Sequence, residues 1–308
     1  MPQIVICEFM DAPVVESLFA GRDVIFDDTL VDRPNDLFAT LADAEAILVR
    51  NRTQVNAELL AHAPKLKVVG RLGVGLDNID LPACKARGVV VCPASGANDL
   101  AVAEYVLSSA VVLLRGAFFA SDRVRQGAWP RMALIGSESE GKTLGLVGYG
   151  AIARLTAIKA RAFGFQVIAF DPLLDLADPA WQGATRMATL EALMGAADVV
   201  SLHVPFTPAT KGMFDAKALA AMKPGAVLIN AARGGVVDEM ALASALKSGA
   251  LGGAALDVFE TEPLTAAAGA RFEGCPNLIL TPHIAGVTEE SNLRVSEVTA
   301  RNVLTVLG

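Results

Sequence analysis

The sequence predicts an α/β protein with two doubly wound parallel sheets, one in each of two domains. Short apolar runs alternate with helical patterns along most of the chain, as in successive strand–helix units. The 308 residues suit two domains better than one. A glycine-rich turn between a strand pattern and a helix pattern lies near the middle of the chain. We therefore expect two α/β units in series, with a cleft between them.

The first predicted unit occupies the part of the chain before residue 98. Its strand patterns fall at residues 4–7, 24–26, 46–49, 66–69 and 89–92. Helical patterns separate these runs, so a small parallel sheet is expected. The strongest helix signal follows, from Asn98 to about Arg115, with Asn98 or Asp99 as its predicted N-cap. A last amphipathic helix is predicted over residues 288–307, where Thr-Glu-Glu supplies the cap and first-turn acids.

The central glycine turn has the form GxGxxA and reads GYGAIA over residues 148–153. Gly148 permits the tight turn, and Gly150 has no side chain to hold a pyrophosphate away from the backbone. The helix that starts at Ala151 and Ile152 directs its free N–H groups and positive dipole end toward an anion. This arrangement of strand, turn and helix is typical of dinucleotide binding.

An acid follows the second strand of the same unit. Asp171 lies 21 residues after Gly150, where a carboxylate accepts hydrogen bonds from the adenosine ribose hydroxyls and repels a 2′-phosphate. The predicted cofactor is therefore NAD rather than NADP. The alternative for the glycine motif alone is a tight turn in another α/β protein, but the flanking strand, helix and acid all agree with the cofactor interpretation.

Composition excludes several classes of partner. The net charge of −7 and pI near 5.1 argue against nucleic acid and anionic membranes. The most apolar window, residues 101–120, contains Glu104 and Arg115 and fits a buried helix better than a membrane span. No signal-peptide pattern opens the sequence, so a cytoplasmic protein is expected. The four cysteines are predicted to be buried reduced thiols, and no metal-ligand spacing is visible.

Polar residues follow successive strand patterns in the second half of the chain. Arg233 comes after the run at 226–230, Asp257 and Glu262 after the run at 254–256, and His283 after the run at 278–280. Ligands of open parallel sheets bind at the carboxyl ends of the strands, so these side chains should converge beside the cofactor.

These residue types suit hydride transfer between a hydroxy acid and a nicotinamide. Imidazole is the natural base for the hydroxyl proton near neutral pH, which favours His283. Glu262 would orient the ring, and Arg233 would hold the substrate carboxylate and the reacting oxygen. Each residue alone also has an ordinary structural explanation. The other two histidines are less favoured: His62 should face solvent, and His203 should support a loop or the cofactor.

Several further motifs carry a resemblance to the D-specific 2-hydroxyacid dehydrogenase family, particularly to the catalytic core of phosphoglycerate dehydrogenases. They are RLGVGLDNID at 71–80, NDLAVAE at 98–104, HVPFTPAT at 203–210, NAARGGVVDE at 230–239, ALDVFETEP at 255–263 and TPHIAG at 281–286. The resemblance implies a Rossmann-type NAD domain and a flavodoxin-like substrate domain. The implied boundaries are 1–97 with 286–308 for substrate and 98–285 for NAD.

The resemblance also implies site residues and an assembly. Arg233, Glu262 and His283 fall on the family's catalytic positions, and Asp257 is expected to approach the nicotinamide. The predicted cofactor-binding set is Gly148, Gly150, Ala151, Ile152, Asp171, His203, Pro205, Thr210, Ala231, Asp257 and Gly286. Backbone N–H groups near Val74 and Gly75 should hold the substrate carboxylate, with Asn98 nearby. The helix after Asn98 implies a homodimer, and the end at Gly308 implies no serine feedback.

The substrate's second group stays open at this point. If Arg50, Arg52 and Arg71 reach the cleft, they suit a second anion on carbon 3, as in phosphoglycerate or sulfolactate. The equal alternative is that Arg52 is solvated elsewhere. Hydroxypyruvate or glyoxylate reduction is a further alternative. A different class, an NAD(H)-sensing binding protein similar to transcriptional corepressors, is disfavoured by the complete set of Arg, Glu and His.

Overall fold

The computed structural model describes residues 3–308, which pack into two units. Unit 1 runs to Asn98 and is completed by Val287–Gly308, whereas unit 2 is Asp99–Gly286. Each unit has its own parallel sheet and its own core, which confirms the predicted α/β class.

The strands of the described residues are short, and they pair in parallel. They are β1 (Gln3–Ile6), β2 (Asp23–Phe26), β3 (Ala44–Val49), β4 (Val68–Arg71), β5 (Val90–Pro93), β6 (Thr143–Val147), β7 (Gln166–Phe170), β8 (Thr185–Arg186), β9 (Val199–Leu202), β10 (Val227–Asn230), β11 (Gly253–Leu256) and β12 (Leu278–Leu280).

The α-helices alternate with these strands. They are α1 (Ala12–Leu18), α2 (Pro34–Thr40), α3 (Ala57–His62), α4 (Leu81–Ala86), α5 (Asp99–Arg115), α6 (Ser121–Arg125), α7 (Ala151–Ala162), α8 (Leu190–Ala196), α9 (Ala216–Ala220), α10 (Glu239–Lys247), α11 (Ala266–Gly269) and α12 (Glu289–Leu307). Short 3-10 helices occur at Leu30–Asp32, Leu41–Asp43, Ala117–Ala120, Met132–Leu134, Pro179–Gly183 and Ala270–Phe272.

Unit 1 has the flavodoxin-like strand order β2-β1-β3-β4-β5. Helices α2, α3 and α4 lie along one face of its sheet, where Leu37, Leu59 and Cys84 are buried. Helices α1 and α12 lie along the other, where Val295 and Val303 are buried. Helix α12 begins with a capping box of Thr288 and Ser291.

Unit 2 has the strand order β12-β11-β10-β9-β6-β7-β8, which is the Rossmann order with one added strand. Helices α5 and α7 cover one face, and α8, α9 and α10 pack on the other. The strand order reverses between β6 and β9, and dinucleotides bind at such a reversal. Strand β8 was missed by the sequence patterns because its two residues, Thr185 and Arg186, are exposed and polar.

The apolar window at 101–120 is a core helix. Val102, Val106, Ala110 and Leu113 on α5 are buried in unit 2. Within residues 3–308, no single helix has the length and apolar composition needed to cross a membrane. One pair, α5 with Ala117–Arg125, passes that test only in combination and is bent by 64°.

The four thiols are all free. Cys7 and Cys84 are buried as predicted, but Cys92 and Cys275 are partly exposed because both lie near the ends of elements rather than within the core. Burial raises the pKa of Cys7 to about 12, so this thiol is protonated.

Candidate active site

The glycine turn of unit 2 leaves space where a pyrophosphate would lie. Gly148 has φ +87°, and a Cβ there would approach the His203 carbonyl oxygen to 2.5 Å, so only glycine fits. A Cβ at Gly150 would meet no atom within 4 Å. Ala153 is fully buried where the helix packs on the sheet. The turn is therefore closely packed at Gly148 and open at Gly150.

Helix α7 begins at this turn without a capping side chain. Its N-cap is Gly150, whereas the helices after Asp11, Asn56, Asp80 and Asp238 each have a side chain that accepts a first-turn N–H. The first-turn donors at Ala151 and Ile152 are thus left for an anion. This is an observed fit to a dinucleotide phosphate.

Asp171 is held in place directly after β7. Its two carboxylate oxygens accept hydrogen bonds from the N–H groups of Tyr149 and Leu173, each at 2.9 Å. Each oxygen keeps a further lone pair, which suits two ribose hydroxyls. The residues present therefore fit NAD.

His203 follows β9 beside the glycine turn. Its Nε2 lies 3.0 Å from Ser201 Oγ, and burial lowers its pKa to about 4, so the ring is neutral. In the following loop, Thr210 donates to the Pro205 carbonyl at 2.6 Å. Ala231 and Gly286 are partly exposed at the ends of β10 and the 281–286 segment. The roles of these five predicted cofactor contacts, His203, Pro205, Thr210, Ala231 and Gly286, stay predictions.

The structure pairs His283 with Glu262. Nδ1 of the ring lies 2.7 Å from Glu262 Oε2, and the other carboxylate oxygen accepts the N–H of Phe259 at 3.0 Å. Both side chains are partly solvent-accessible, at 41% and 31%. His283 has φ +52°, an uncommon value for a residue with a Cβ, and its backbone is held by hydrogen bonding to the Asp257 carbonyl. The ring is therefore oriented from both ends.

The carboxyl of Glu262 is ionised at neutral pH. Partial burial by itself would raise its pKa, but hydrogen bonds from His283 and Phe259 and the charges of His283 and Arg233 outweigh that effect and lower it. An ionised carboxylate only accepts hydrogen bonds, so Nδ1 carries a proton. In the neutral ring Nε2 is then an acceptor, directed away from Glu262.

Arg233 is positioned by a turn after β10. The buried side chain of Asn230 donates to the Arg233 carbonyl at 2.9 Å and accepts from Ala232 N–H at 3.1 Å. The guanidinium donates to the Ala232 carbonyl at 2.6 Å. The neighbouring Gly234 lies so close to Phe259 that a Cβ would overlap its carbonyl oxygen. The segments carrying Arg233 and Glu262 thus pack directly against each other.

Asp257 is buried and organises the segment that carries His283. Its carboxylate accepts the Thr281 hydroxyl at 2.7 Å and the N–H groups of Ile284 and Ala285 at 2.8 Å each. Thr281 also lies 2.6 Å from the hydroxyl of Tyr105 on α5. The expected approach of Asp257 to a nicotinamide stays a prediction, because the contacts observed are to the protein itself.

A second pair of carboxylates, Glu239 and Glu260, connects α10 to the loop that carries Glu262. Glu239 and Glu260 each accept the other's backbone N–H, at 2.6 and 3.3 Å. Arg271 donates to both carboxylates, at 3.0 and 3.1 Å. The side chain of Glu239 is only 3% exposed, and its burial raises its pKa. One guanidinium thus balances two acids that connect α10 to the loop of Glu262.

The two arginines after β3 have opposite surroundings. Arg50 is half-buried, donates to Asn292 Oδ1 at 2.8 Å and lies 5.3 Å above the ring of Phe9. Among residues 3–308 it forms no ion pair with a carboxylate, and burial lowers its pKa. Arg52 is exposed and ion-paired with Asp32, the arrangement expected if it is solvated outside the site.

The other predicted substrate residues lie on a loop and at a chain junction. Arg71 donates to the carbonyls of Gly75 and Leu72, at 2.8 and 2.6 Å, and so curls the loop that carries Val74. Gly73 has φ +146° against this guanidinium. Asn98 ends unit 1, and its buried Oδ1 has no hydrogen-bond partner. Arg71 thus supports this loop, and its predicted approach to substrate stays a prediction.

Several residues that shape the site were not found from sequence. Glu8, Asn78, Asn292, Glu239 and Arg271 all hold loops that carry the predicted site residues. A weak signal existed for two of them, because Glu8 directly follows the apolar run at 4–7 and Asn78 lies inside the RLGVGLDNID motif. Their burial and their partners depend on tertiary packing.

Comparisons with known proteins agree with this geometry. Residues 107–285 match the family model described as D-isomer specific 2-hydroxyacid dehydrogenase, NAD binding domain. Over 308 residues, the chain is 52% identical to (S)-sulfolactate dehydrogenase of Chromohalobacter salexigens, covering 100% of this chain and 99% of that protein.

Two further proteins that the chain resembles are named as dehydrogenases of other 2-hydroxy acids. The chain is 42% identical to D-3-phosphoglycerate dehydrogenase of Mycobacterium leprae over 96% of its own length but spans only 57% of that protein. The structure of D-lactate dehydrogenase from Aquifex aeolicus, complexed with NAD and lactic acid, superimposes with a TM-score of 0.87 at 29% identity, covering 99% of this chain and 95% of that one.

Proposed function

Because the chain belongs to the D-isomer specific 2-hydroxyacid dehydrogenase family, whose members are NAD-dependent oxidoreductases, we propose that its substrate is a D-configured 2-hydroxy acid with a sulfonate on carbon 3. The reaction interconverts this acid and the matching 2-oxo acid. A 3-phosphate is the second choice for the same anion. The observation that carries the choice of a dianionic substrate is the half-buried Arg50, which forms no ion pair with a carboxylate among residues 3–308.

The proton of the substrate hydroxyl is assigned to His283. With Nδ1 hydrogen-bonded to Glu262, Nε2 accepts the hydroxyl proton during oxidation and returns it to the carbonyl oxygen during reduction. The ionised Glu262 stabilises the ring in its protonated form. His283 and Glu262 are hydrogen-bonded to each other, so this pair can carry out the proton transfer without another base.

Arg233 is assigned to the substrate's carboxylate and reacting oxygen. A guanidinium has a planar fork of donors that suits a carboxylate, and the hydrogen bond to the Ala232 carbonyl orients this one. Bound NAD supplies the hydride acceptor and donor. Gly150, the start of α7 and Asp171 would hold its pyrophosphate and ribose.

The stereochemistry of sulfolactate is consistent with the D-specific family. A CH₂ group that bears sulfur outranks a carboxyl group in the assignment of R and S, whereas a methyl group does not. The S descriptor of sulfolactate therefore denotes the same spatial arrangement as D-lactate, which is R. One active-site geometry can serve both.

Arg50 supplies the reason for a second anion. Removing a guanidinium from water without a directly paired counter-charge is unfavourable, and here Asn292 gives it a neutral hydrogen bond and Phe9 a ring face, while the charge of Glu8 acts on it without forming an ion pair. A sulfonate or phosphate oxygen would pair directly with the guanidinium. Arg52 is less suited because Asp32 already neutralises it.

The test is an NADH-oxidation assay with sulfopyruvate, phosphohydroxypyruvate, hydroxypyruvate and glyoxylate. We expect sulfopyruvate to have the highest kcat/KM, and at least about tenfold over glyoxylate, because one charge-assisted contact of this kind contributes 1.5–3 kcal/mol. Equal values for all four compounds would contradict a dianionic substrate. NADH binding without turnover would instead favour a cofactor-sensing protein.

We further propose a cytoplasmic homodimer. The segment after α5 exposes Phe118 (63%), Trp129 (75%), Met132 (81%) and Ile135 (71%), an apolar set that a second copy of this chain would cover. Four free thiols suit a reducing compartment. Sedimentation of the wild-type chain and a Trp129→Glu, Met132→Glu variant should distinguish dimer from monomer, and a monomeric wild-type chain would contradict the assembly.

A further inference from the structure

We propose that Glu8 is a positioning residue whose buried carboxylate fixes the Arg50 loop and so determines selectivity for a second substrate anion. This inference rests on the proposed function. Neither the family match nor the catalytic assignment involves Glu8, which lies in unit 1 two residues after the end of β1.

The carboxylate of Glu8 binds the main chain of residues 50–53. It is 4% exposed. Oε1 accepts the N–H groups of Arg50 and Thr53 at 2.9 and 3.0 Å, and Oε2 accepts that of Arg52 at 3.3 Å. Three of the four amides in this loop therefore converge on one side chain. A loop held in this way cannot shift without breaking several charge-assisted bonds.

Asn78 holds the same loop through its carbonyl groups. Its Nδ2 donates to the carbonyls of Thr53 and Arg50, at 2.6 and 3.0 Å, and the residue is 8% exposed. The loop thus has an acceptor, Glu8, for its N–H groups and a donor, Asn78, for its C=O groups. Both are buried, so water does not compete with these bonds.

Glu8 also acts on the guanidinium through its neighbour in sequence. Phe9 provides the ring over which Arg50 lies, at 5.3 Å, while Glu8 binds the Arg50 backbone. Strands β1 and β3 pair directly, so their carboxyl ends are adjacent and residues 8–9 reach residues 50–53. The backbone and the side-chain platform of Arg50 are therefore positioned by two consecutive residues.

The charge of Glu8 and its role in positioning the loop have opposite effects on the binding of a dianionic substrate. Among residues 3–308 Glu8 forms no ion pair, and its negative charge near Arg50 opposes a bound anion. Neutralising it would, through charge alone, strengthen binding of a dianionic substrate. If Glu8 acts by positioning, neutralising it must weaken that binding instead.

The experiment compares Glu8→Gln with Glu16→Gln, an exposed glutamate on α1 in the same unit. An amide has one acceptor oxygen, so Glu8→Gln loses at least one loop bond whichever way it is oriented. We expect KM for sulfopyruvate to rise about fivefold, with kcat and the KM for glyoxylate changed less than about twofold. Glu16→Gln should match the wild type in all three values.

Hydrogen exchange of the loop supplies a readout that does not depend on turnover. Amides of Arg50, Arg52 and Thr53 should exchange faster in Glu8→Gln than in Glu16→Gln, while exchange in β3 stays unchanged. Asn78→Ser, which removes the other clamp, should show the same pattern if Glu8→Gln folds poorly. Unchanged loop exchange, a lowered KM for sulfopyruvate, or an equal rise in both KM values would overturn the inference. A wild type without preference for sulfopyruvate would refute the proposed substrate, while the exchange result would still decide whether Glu8 holds the loop.

Discussion

The two units hold their candidate site residues by different means. In unit 2 the functional side chains are fixed by other side chains: Glu262 contacts His283 directly, and Asp257 binds the segment around it. In unit 1 a stretch of main chain, residues 50–53, is fixed, and the Arg50 guanidinium contacts Asn292 and Phe9. One region is ordered around reacting groups and the other around a binding loop.

This difference indicates that unit 2 carries the proton transfer and that residues 50–53 of unit 1 bind the substrate. A proton-transfer pair requires fixed distances between side chains, because a misplaced base lowers the rate directly. A binding loop requires a fixed backbone and a charge that is available to the ligand. Substitutions in unit 2 should therefore act mainly on kcat, and substitutions around residues 50–53 mainly on KM for the dianionic substrate.

The largest effect should come from His283→Ala. Loss of the general acid/base should reduce kcat by more than about 100-fold, while the dissociation constant of NADH changes little. Steady-state kinetics and fluorescence titration with NADH measure the two quantities. His62→Ala is the matched control, because that ring is exposed and stacks only on Phe38 at 4.4 Å. Normal turnover in His283→Ala would exclude His283 as the group that transfers the proton.

Arg50→Gln should raise KM for sulfopyruvate about 20-fold and that for glyoxylate far less, because a charged hydrogen bond is lost only with the dianion. Arg52→Gln should change either KM less than about threefold, since exposed ion pairs contribute at most about 1 kcal/mol. The two substituted residues lie two positions apart in the chain, and each substitution removes a guanidinium. An equal effect from both would show that Arg52 leaves Asp32 to bind substrate.

Arg271→Gln tests the second carboxylate pair of unit 2. The change leaves Glu239 and Glu260 close together without their shared cation, so the loop of Glu262 should move and kcat should fall about tenfold. Arg271→Lys keeps the charge and should recover most of the activity. A rise in KM with unchanged kcat would contradict the proposed division between the units.

The smallest effect concerns His203 and the pH dependence of stability. Burial lowers its pKa in the folded chain from 6.5 to about 4. The unfolded chain therefore takes up a proton first as pH falls below 6.5, and stability decreases until the folded ring also protonates near pH 4. Between pH 7.5 and 5.5 we expect a loss of about 1 kcal/mol from this residue. Urea unfolding at both pH values should show a smaller loss in His203→Gln, and an equal loss would contradict a buried neutral ring.

Most of the fold is predictable from the sequence because a buried parallel strand and an amphipathic helix each have a local pattern. The runs at 4–7 and 226–230 illustrate this, since each lies within one residue of β1 and β10 at both ends. Strand β4 is shifted two residues beyond its apolar run because Gly70 and Arg71 also pair with β3. Short exposed strands such as β8 have no such pattern.

The candidate site is predictable only where chemistry is visible at a strand end. His283, Glu262 and Arg233 stand out because polar groups follow buried runs on three neighbouring strands. The surroundings of Arg50 and Arg52 could not be predicted, since Asp32 and Asn292 are 20 and 242 residues away in the chain. In sequence, only its place after an apolar run distinguishes Glu8 from a surface acid.

The position of α12 has a consequence for the order of folding. This helix covers a face of the unit 1 sheet so closely that a methyl group on Gly70 would lie 2.6 Å from Val303. In the chain, however, the helix is separated from β5 by the whole of Asp99–Gly286. During synthesis, therefore, only α1 can cover that face of the first sheet, and part of the apolar face stays exposed until the middle of the chain has been made and α12 can pack on it.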